Sequence, residues 1–184
     1  MALITCPNDC ETQLPVVAFD QCAPKINLSE IRKIYVAKPT VKAFTDWKLA
    51  PEWTTRISET NVASPDSIRP LTVIADKPAP ANVVKDISNG RKIQVRKDHT
   101  LNITIDDVSD ENYEFAIITE CGGQVKFWYE TAGGYIYGGN EGIDGTLILD
   151  DVLNRGNDEI ETLTGTLTWS SKHSPERVIS PIAS

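Results

Sequence analysis

The sequence contains no stretch approaching the 18 or so uninterrupted apolar residues of a membrane span, and Met1 to Cys10 lack the basic start and apolar run of a secretory leader. These absences give the expectation of a protein made and kept in the cytosol, with no membrane partner. Imidazole is scarce, with only His99 and His173. No Gly-x-Ser-x-Gly elbow occurs, so serine or cysteine nucleophilic catalysis has few bases to draw on. His99 begins a strand and His173 lies in a polar tail, and both read as surface residues. Neither the P-loop pattern nor Gly-x-Gly-x-x-Gly is present. The glycines from Gly133 to Gly145 lack the lysine and following helix that phosphate binding uses, and Gly138-Gly139 reads as a turn. No spacing matches an EF-hand loop. Asp106-Asp107, Asp110-Glu111, Asp150-Asp151 and Asp158-Glu159 are adjacent acids, which on a strand point to opposite faces and so read as solvated loops rather than a Ca²⁺ site. A Lys/Arg stripe interleaved with aromatics is also missing, which disfavours adhesive nucleic-acid binding. No enzyme activity and no cofactor are expected.

What is present is an average globular composition, 40% hydrophobic and 24% charged over 184 residues, enough for one ordinary domain without a disulfide framework. The net charge of −8 is unevenly spread. Residues 1–98 carry 14 Lys/Arg and 11 Asp/Glu, a net +3, whereas residues 99–184 carry 4 and 15, a net −11. A basic face of one subunit meeting an acidic face of the next would steer association and fix its orientation, although such asymmetry by itself is equally compatible with solvated surface. Cys6, Cys10 and Cys22 fall within 17 residues, and Cys121 is available as a fourth ligand. Four thiolates at such positions are a candidate structural Zn²⁺ site, since the Cys6–Cys10 spacing is allowed for one. A second close pair is missing, so free, partly buried thiols are the favoured reading.

Residues 1–27 hold three Cys and three Pro without a sustained period and read as an extended arm. The body, residues 28–172, reads mainly as strands. IRKIYVAK from Ile31 alternates and ends at Pro39. A short helix falls within Thr45 to Ile57, limited by Pro51, with Trp47 and Trp53 as core anchors. Strands follow at Arg69 to Asp76, Ala81 to Ile87 and Arg91 to Arg96, the last two joined in a hairpin by Asn89-Gly90. His99 to Asp106 sets Leu101, Ile103 and Ile105 on one face. The segment from Ser109 to Gly123, with an N-cap residue, an acidic first turn and C-terminal glycines, reads as the best helix. Short strands at Val125 to Glu130, Tyr135 to Tyr137 and Thr146 to Leu149 precede a longer one from Ile160 to Trp169. There Leu163, Leu167 and Trp169 face inward, and Thr162, Thr164, Thr166 and Thr168 form an exposed sheet face. Residues 173–184 read as an extended tail. The expected architecture is mainly β, a β-sandwich or barrel with one flanking α-helix and extended terminal arms.

The phrases DWKLAPEWTTRIS, NYEFAIITECGGQVKFWYETAGGYIYGGNEGI and TGTLTWSSKHSPERVISPI resemble the tail-tube-like structural proteins of tailed bacteriophages, over about two-thirds of the chain. The shared order is a helix, an aromatic hairpin, a glycine turn and a final threonine-rich strand. The Cys-bearing N-terminal arm is not part of the pattern. This resemblance implies a virion structural protein whose copies close into a ring. Rings would stack head to tail with other virion proteins, arms would bridge neighbours, and DNA would pass through the lumen as cargo. An acidic wall suits such a conduit, because Lys/Arg there would trap phosphates. Two other readings stand beside it: a capsid decoration or connector subunit, and a small ligand-binding module in which Trp47, Trp53, Trp128 and Trp169 line a groove. Tryptophans are more often core anchors.

Overall fold

The computed structural model describes residues 22–24, 26–61, 64–155 and 160–182. Most of the expected N-terminal arm, with Cys6 and Cys10, and the pair Asp158-Glu159 lie outside the described residues. The order is β1 (Ile31–Ala37), α1 (Ala50–Ile57), β2 (Ile68–Asp76), β3 (Ala81–Ile87), β4 (Arg91–Ile105), α2 (Asp110–Glu120), β5 (Gln124–Thr131), β6 (Tyr135–Tyr137), β7 (Ile143–Val152), β8 (Thr162–Ser171) and β9 (Arg177–Ile179). All strand pairs are antiparallel, and β1-β2-β4-β8-β7-β5 closes into a six-stranded barrel through the β1–β5 pairing. The mainly β barrel expected from alternation is therefore the fold, and its two helices fall within the two segments expected to be helical, Thr45 to Ile57 and Ser109 to Gly123.

Alternation fills the barrel. Leu101, Ile103 and Ile105 of β4 meet Leu163 and Leu167 of β8 and Leu147 and Leu149 of β7, all buried. At Gly165, inside β8, a Cβ would collide with the Ile148 carbonyl, so only glycine lets the two strands pair here. α2 lies along β7, with Ala116 in the core and the Thr119 hydroxyl accepting the Leu149 amide at 3.3 Å. Ser109 occupies the N-cap position of α2 without a side-chain cap bond. Asp107 organises that turn instead, accepting the Ser109 amide at 3.2 Å through its carboxylate and the Asn112 side chain at 2.9 Å through its carbonyl.

β1 and β5 are buried on both faces. Ile34, Val36, Phe127 and Tyr129 point into the barrel, while Tyr35, Ala37 and Trp128 join Val41, Phe44, Trp47, Trp53, Ile68 and Ile136 in a second core outside it. Segment 38–49 and α1 cover this second core. Pro51 sits in the first turn of α1, where its missing N–H costs nothing, so it starts the helix that the sequence suggested it would curtail. Arg56 ties the layer down. Its guanidinium donates to the carbonyls of Lys42 (2.6 Å) and Ala43 (3.1 Å) and to Glu52 (2.6 Å), and stacks 4.2 Å from the Phe44 ring centroid. Trp128 donates to the Gly139 carbonyl at 2.8 Å. The turn over its indole needs Gly142, at φ 73°, where a Cβ would come within 2.7 Å of the ring.

Two strands outgrow their expected bounds. Arg91 to Ile105 is one strand of 15 residues, not two, with a register shift between Val83 and Val84 that leaves Val95 as the extra residue. The expected strand at Thr146 to Leu149 extends over Ile143–Val152. The C-terminal tail, expected to be merely extended, returns to the sheet as β9, which pairs with β6.

Candidate functional site

Of the four cysteines weighed as zinc ligands, Cys6 and Cys10 lie outside the described residues. Cys22 and Cys121 are both exposed rather than partly buried, and no group of three His, Cys, Asp or Glu among the described residues is placed to hold a metal ion. The tryptophans are core: Trp47, Trp53, Trp128 and Trp169 are at most 6% exposed, so they do not form an aromatic groove.

His99 is a correction. It is 2% exposed rather than a surface residue, stacked on Trp169 at 4.7 Å with the rings 4° from parallel. Its strand position was read correctly, but its parity with Leu101, Ile103 and Ile105 places it on the inward face, a signal available in the sequence. Ser171 donates its hydroxyl proton to the His173 carbonyl at 2.7 Å, so at 3.1 Å the Nε2–H of His99 donates to the Ser171 oxygen. This fixes the neutral tautomer and leaves Nδ1 buried without a partner among the described residues. Burial lowers the pKa of His99, as do the cations of Lys77 and Lys97, against a smaller opposing pull from Asp98. Ser170 donates to Asp98 at 2.6 Å, and this bond holds the Asp98 carboxyl below its ordinary range. The arrangement suits a structural histidine: its serine neighbour gives its proton to a carbonyl and is not primed as a nucleophile.

Three surfaces stand out instead. The first is the outward face of β2, β4, β8 and β7. Strand register aligns Ile74, Thr104, Thr164 and Asp150 in one row and Asp76, Asn102, Thr166 and Ile148 in the next. Thr100, Thr168 and Thr146 form a third. From Thr72 onward in β2, from Asp98 onward in β4, and over the outward residues of β8 and β7 there is no Lys or Arg, while Asp76, Asp98, Asp144 and Asp150 supply carboxylates. Lys126, on neighbouring β5, marks the border and pairs with Asp144 at 2.8 Å. The threonine face predicted in β8 is thus part of a wider polar sheet face that excludes cations.

The second surface is the hairpin of β3 and the first half of β4. Its turn puts Asn89 (φ 65°) and Gly90 (φ 68°) in the left-handed region, as the Asn-Gly pair predicts. The ribbon runs past the barrel, since β8 joins β4 only from Lys97 onward. The third surface is the barrel end at α2. Ile105 pairs with Leu163, which pairs with Asp151, so three acid pairs that sequence reasoning treated separately, Asp106-Asp107, Asp110-Glu111 and Asp150-Asp151, gather at one end, all exposed.

Comparison with known proteins gives no match, either among family models or among curated sequences. Among the described residues no helix is long and apolar enough to cross a membrane.

Proposed function

We propose that this chain is a virion structural protein of the tail-tube kind, whose copies assemble into a ring that encloses a channel for DNA. The observation that carries the reading is the β3–β4 ribbon. Two strands standing alone are marginally stable in water, and this pair exposes apolar side chains on both faces that are uncovered among the described residues and suit burial against another chain. The outer edge of β3 is unpaired among the described residues, as is that of β9, and ring subunits hide such edges against neighbours. The polar face of β2, β4, β8 and β7 is suited to the channel wall. It presents hydroxyls, carboxylates, Asn102 and two isoleucines, Ile74 and Ile148, but no cation, so a duplex sliding past it would meet no phosphate trap.

With all four tryptophans buried, the ligand-binding reading loses the aromatic groove that motivated it. A capsid decoration or connector subunit would share the fold and the exposed ribbon but not the channel. The test is the mass of the purified protein by light scattering across concentration and salt. A discrete oligomer growing in with concentration supports the reading, and a monomer throughout overturns it.

A further inference from the structure

The hairpin and α2 sit at opposite ends of one strand. β4 is 15 residues long, about 50 Å at strand rise; the hairpin turn precedes it and α2 follows it. On the hairpin, Val84, Ile87, Ile93 and Val95 are 41 to 48% exposed. Around them, residues 81–97 hold five cations, Lys85, Arg91, Lys92, Arg96 and Lys97, against the single carboxylate of Asp86, a net +4. Lys92 lies 3.9 Å from Asp86 and Arg96 lies 3.1 Å from Asp98, exposed pairs that leave most of the ribbon's positive charge uncompensated among the described residues.

The far end is the reverse. Residues 106–120 hold six carboxylates, Asp106, Asp107, Asp110, Glu111, Glu114 and Glu120, and no cation, a net −6. Among them Tyr113, Ile117 and Ile118 are 41 to 61% exposed, with Tyr113 and Ile117 one turn apart on the helix. Each patch is therefore a set of apolar side chains framed by charge of one sign, and the two signs are opposite. The barrel stands between them, so they do not meet within one molecule. Between molecules they match, and a contact that joins unlike patches head to tail repeats, giving a ring where the rotation closes and an open filament where it does not.

We propose that the β3–β4 hairpin of one copy docks on α2 of the next. The apolar residues of the two patches supply the buried area, and the opposed charges steer the encounter and fix its polarity. This contact rests on the assembly reading above, and it makes association weaken as salt rises through the screening range.

The test uses two charge-reversed chains at exposed positions. One carries Lys85→Glu, Arg91→Glu and Lys92→Glu, which takes the hairpin from +4 to −2, and the other carries Asp106→Lys, Glu111→Lys, Glu114→Lys and Glu120→Lys, which takes the helix patch from −6 to +2. Each alone is expected to keep the circular dichroism spectrum of the wild type. In each, self-association should weaken by about tenfold or more, because like charges then face each other. Mixed in equal amounts, the acidic hairpin of the first matches the basic helix of the second, and the unaltered hairpin of the second matches the unaltered helix of the first. The mixture should recover wild-type particle size by light scattering, a rescue that misfolding would not give. If the wild type assembles and either variant alone assembles equally well, this contact is overturned and the assembly reading stands. Failure of the mixture to recover also overturns it. A wild type that is monomeric at every concentration overturns both.

Discussion

His99 and Arg56 are polar residues that the fold has taken out of water, and each gives a separate prediction. The folded-state pKa of His99 lies below its ordinary value, chiefly because of burial, so folding favours the neutral ring. Its contribution to stability is complete above the ordinary histidine range, near pH 6.5, and is lost as pH falls through the folded-state value. Urea unfolding of the wild type should therefore show a midpoint that drops between pH 7.5 and 5, and His99→Gln should flatten that drop. An equal drop in both proteins would assign the acid sensitivity elsewhere. Arg56 satisfies two backbone carbonyls and Glu52 from a nearly buried position. Arg56→Ala strands these groups and should cost about 2–4 kcal/mol in urea unfolding. Arg56→Lys should recover only part of this, because a lysine cannot span the same fork of acceptors. Neither role was legible beforehand. Inward parity gave a hint for His99, but partners 13, 14 and 72 residues away in the chain leave no local pattern.

The elements were easier to read than their extent. Alternation around Leu101, Ile103 and Ile105 and around Leu163 and Leu167 placed β4 and β8 correctly, because each has one wet and one dry face. β1 and β5 were harder. Their segments Tyr35-Val36-Ala37 and Phe127-Trp128-Tyr129 are buried without a break, since a second core lies outside the barrel, and that layer is built from a loop whose packing no period announces. The acid pairs failed as a reading for a different reason. Taken pairwise they face apart, but strand register collects three of the pairs at one end of the barrel. The polar sheet face carries its own prediction. Lysine at the exposed positions Thr168 and Ile148, introduced together as Thr168→Lys and Ile148→Lys, should change stability by less than about 1 kcal/mol. Assembled particles of this variant should retain duplex DNA at low salt and release it as salt rises, whereas wild-type particles retain none. Equal retention by the two would put this face away from the channel.

At the scale of the whole molecule, charge asymmetry, visible in the sequence as a net +3 half and a net −11 half, becomes polarity in space. The basic hairpin lies at one end of β4 and the acidic helix at the other, so each copy has a head and a tail. Such a particle, with edges on β3 and β9 that are unpaired among the described residues, offers two unlike ends, which the proposed contact would join head to tail. The fold class and the best helix were written in the sequence, and so was the hairpin turn. The second core and the convergence of the acids required the tertiary structure. The claim that most needs testing is the closed ring. Negative-stain electron microscopy of the purified chain, at the concentration where light scattering shows association, tests it most directly. The account predicts annular particles of uniform diameter with a stain-filled centre, alone or stacked end to end. Associated particles that are compact dimers, or irregular aggregates without a central opening, would contradict it.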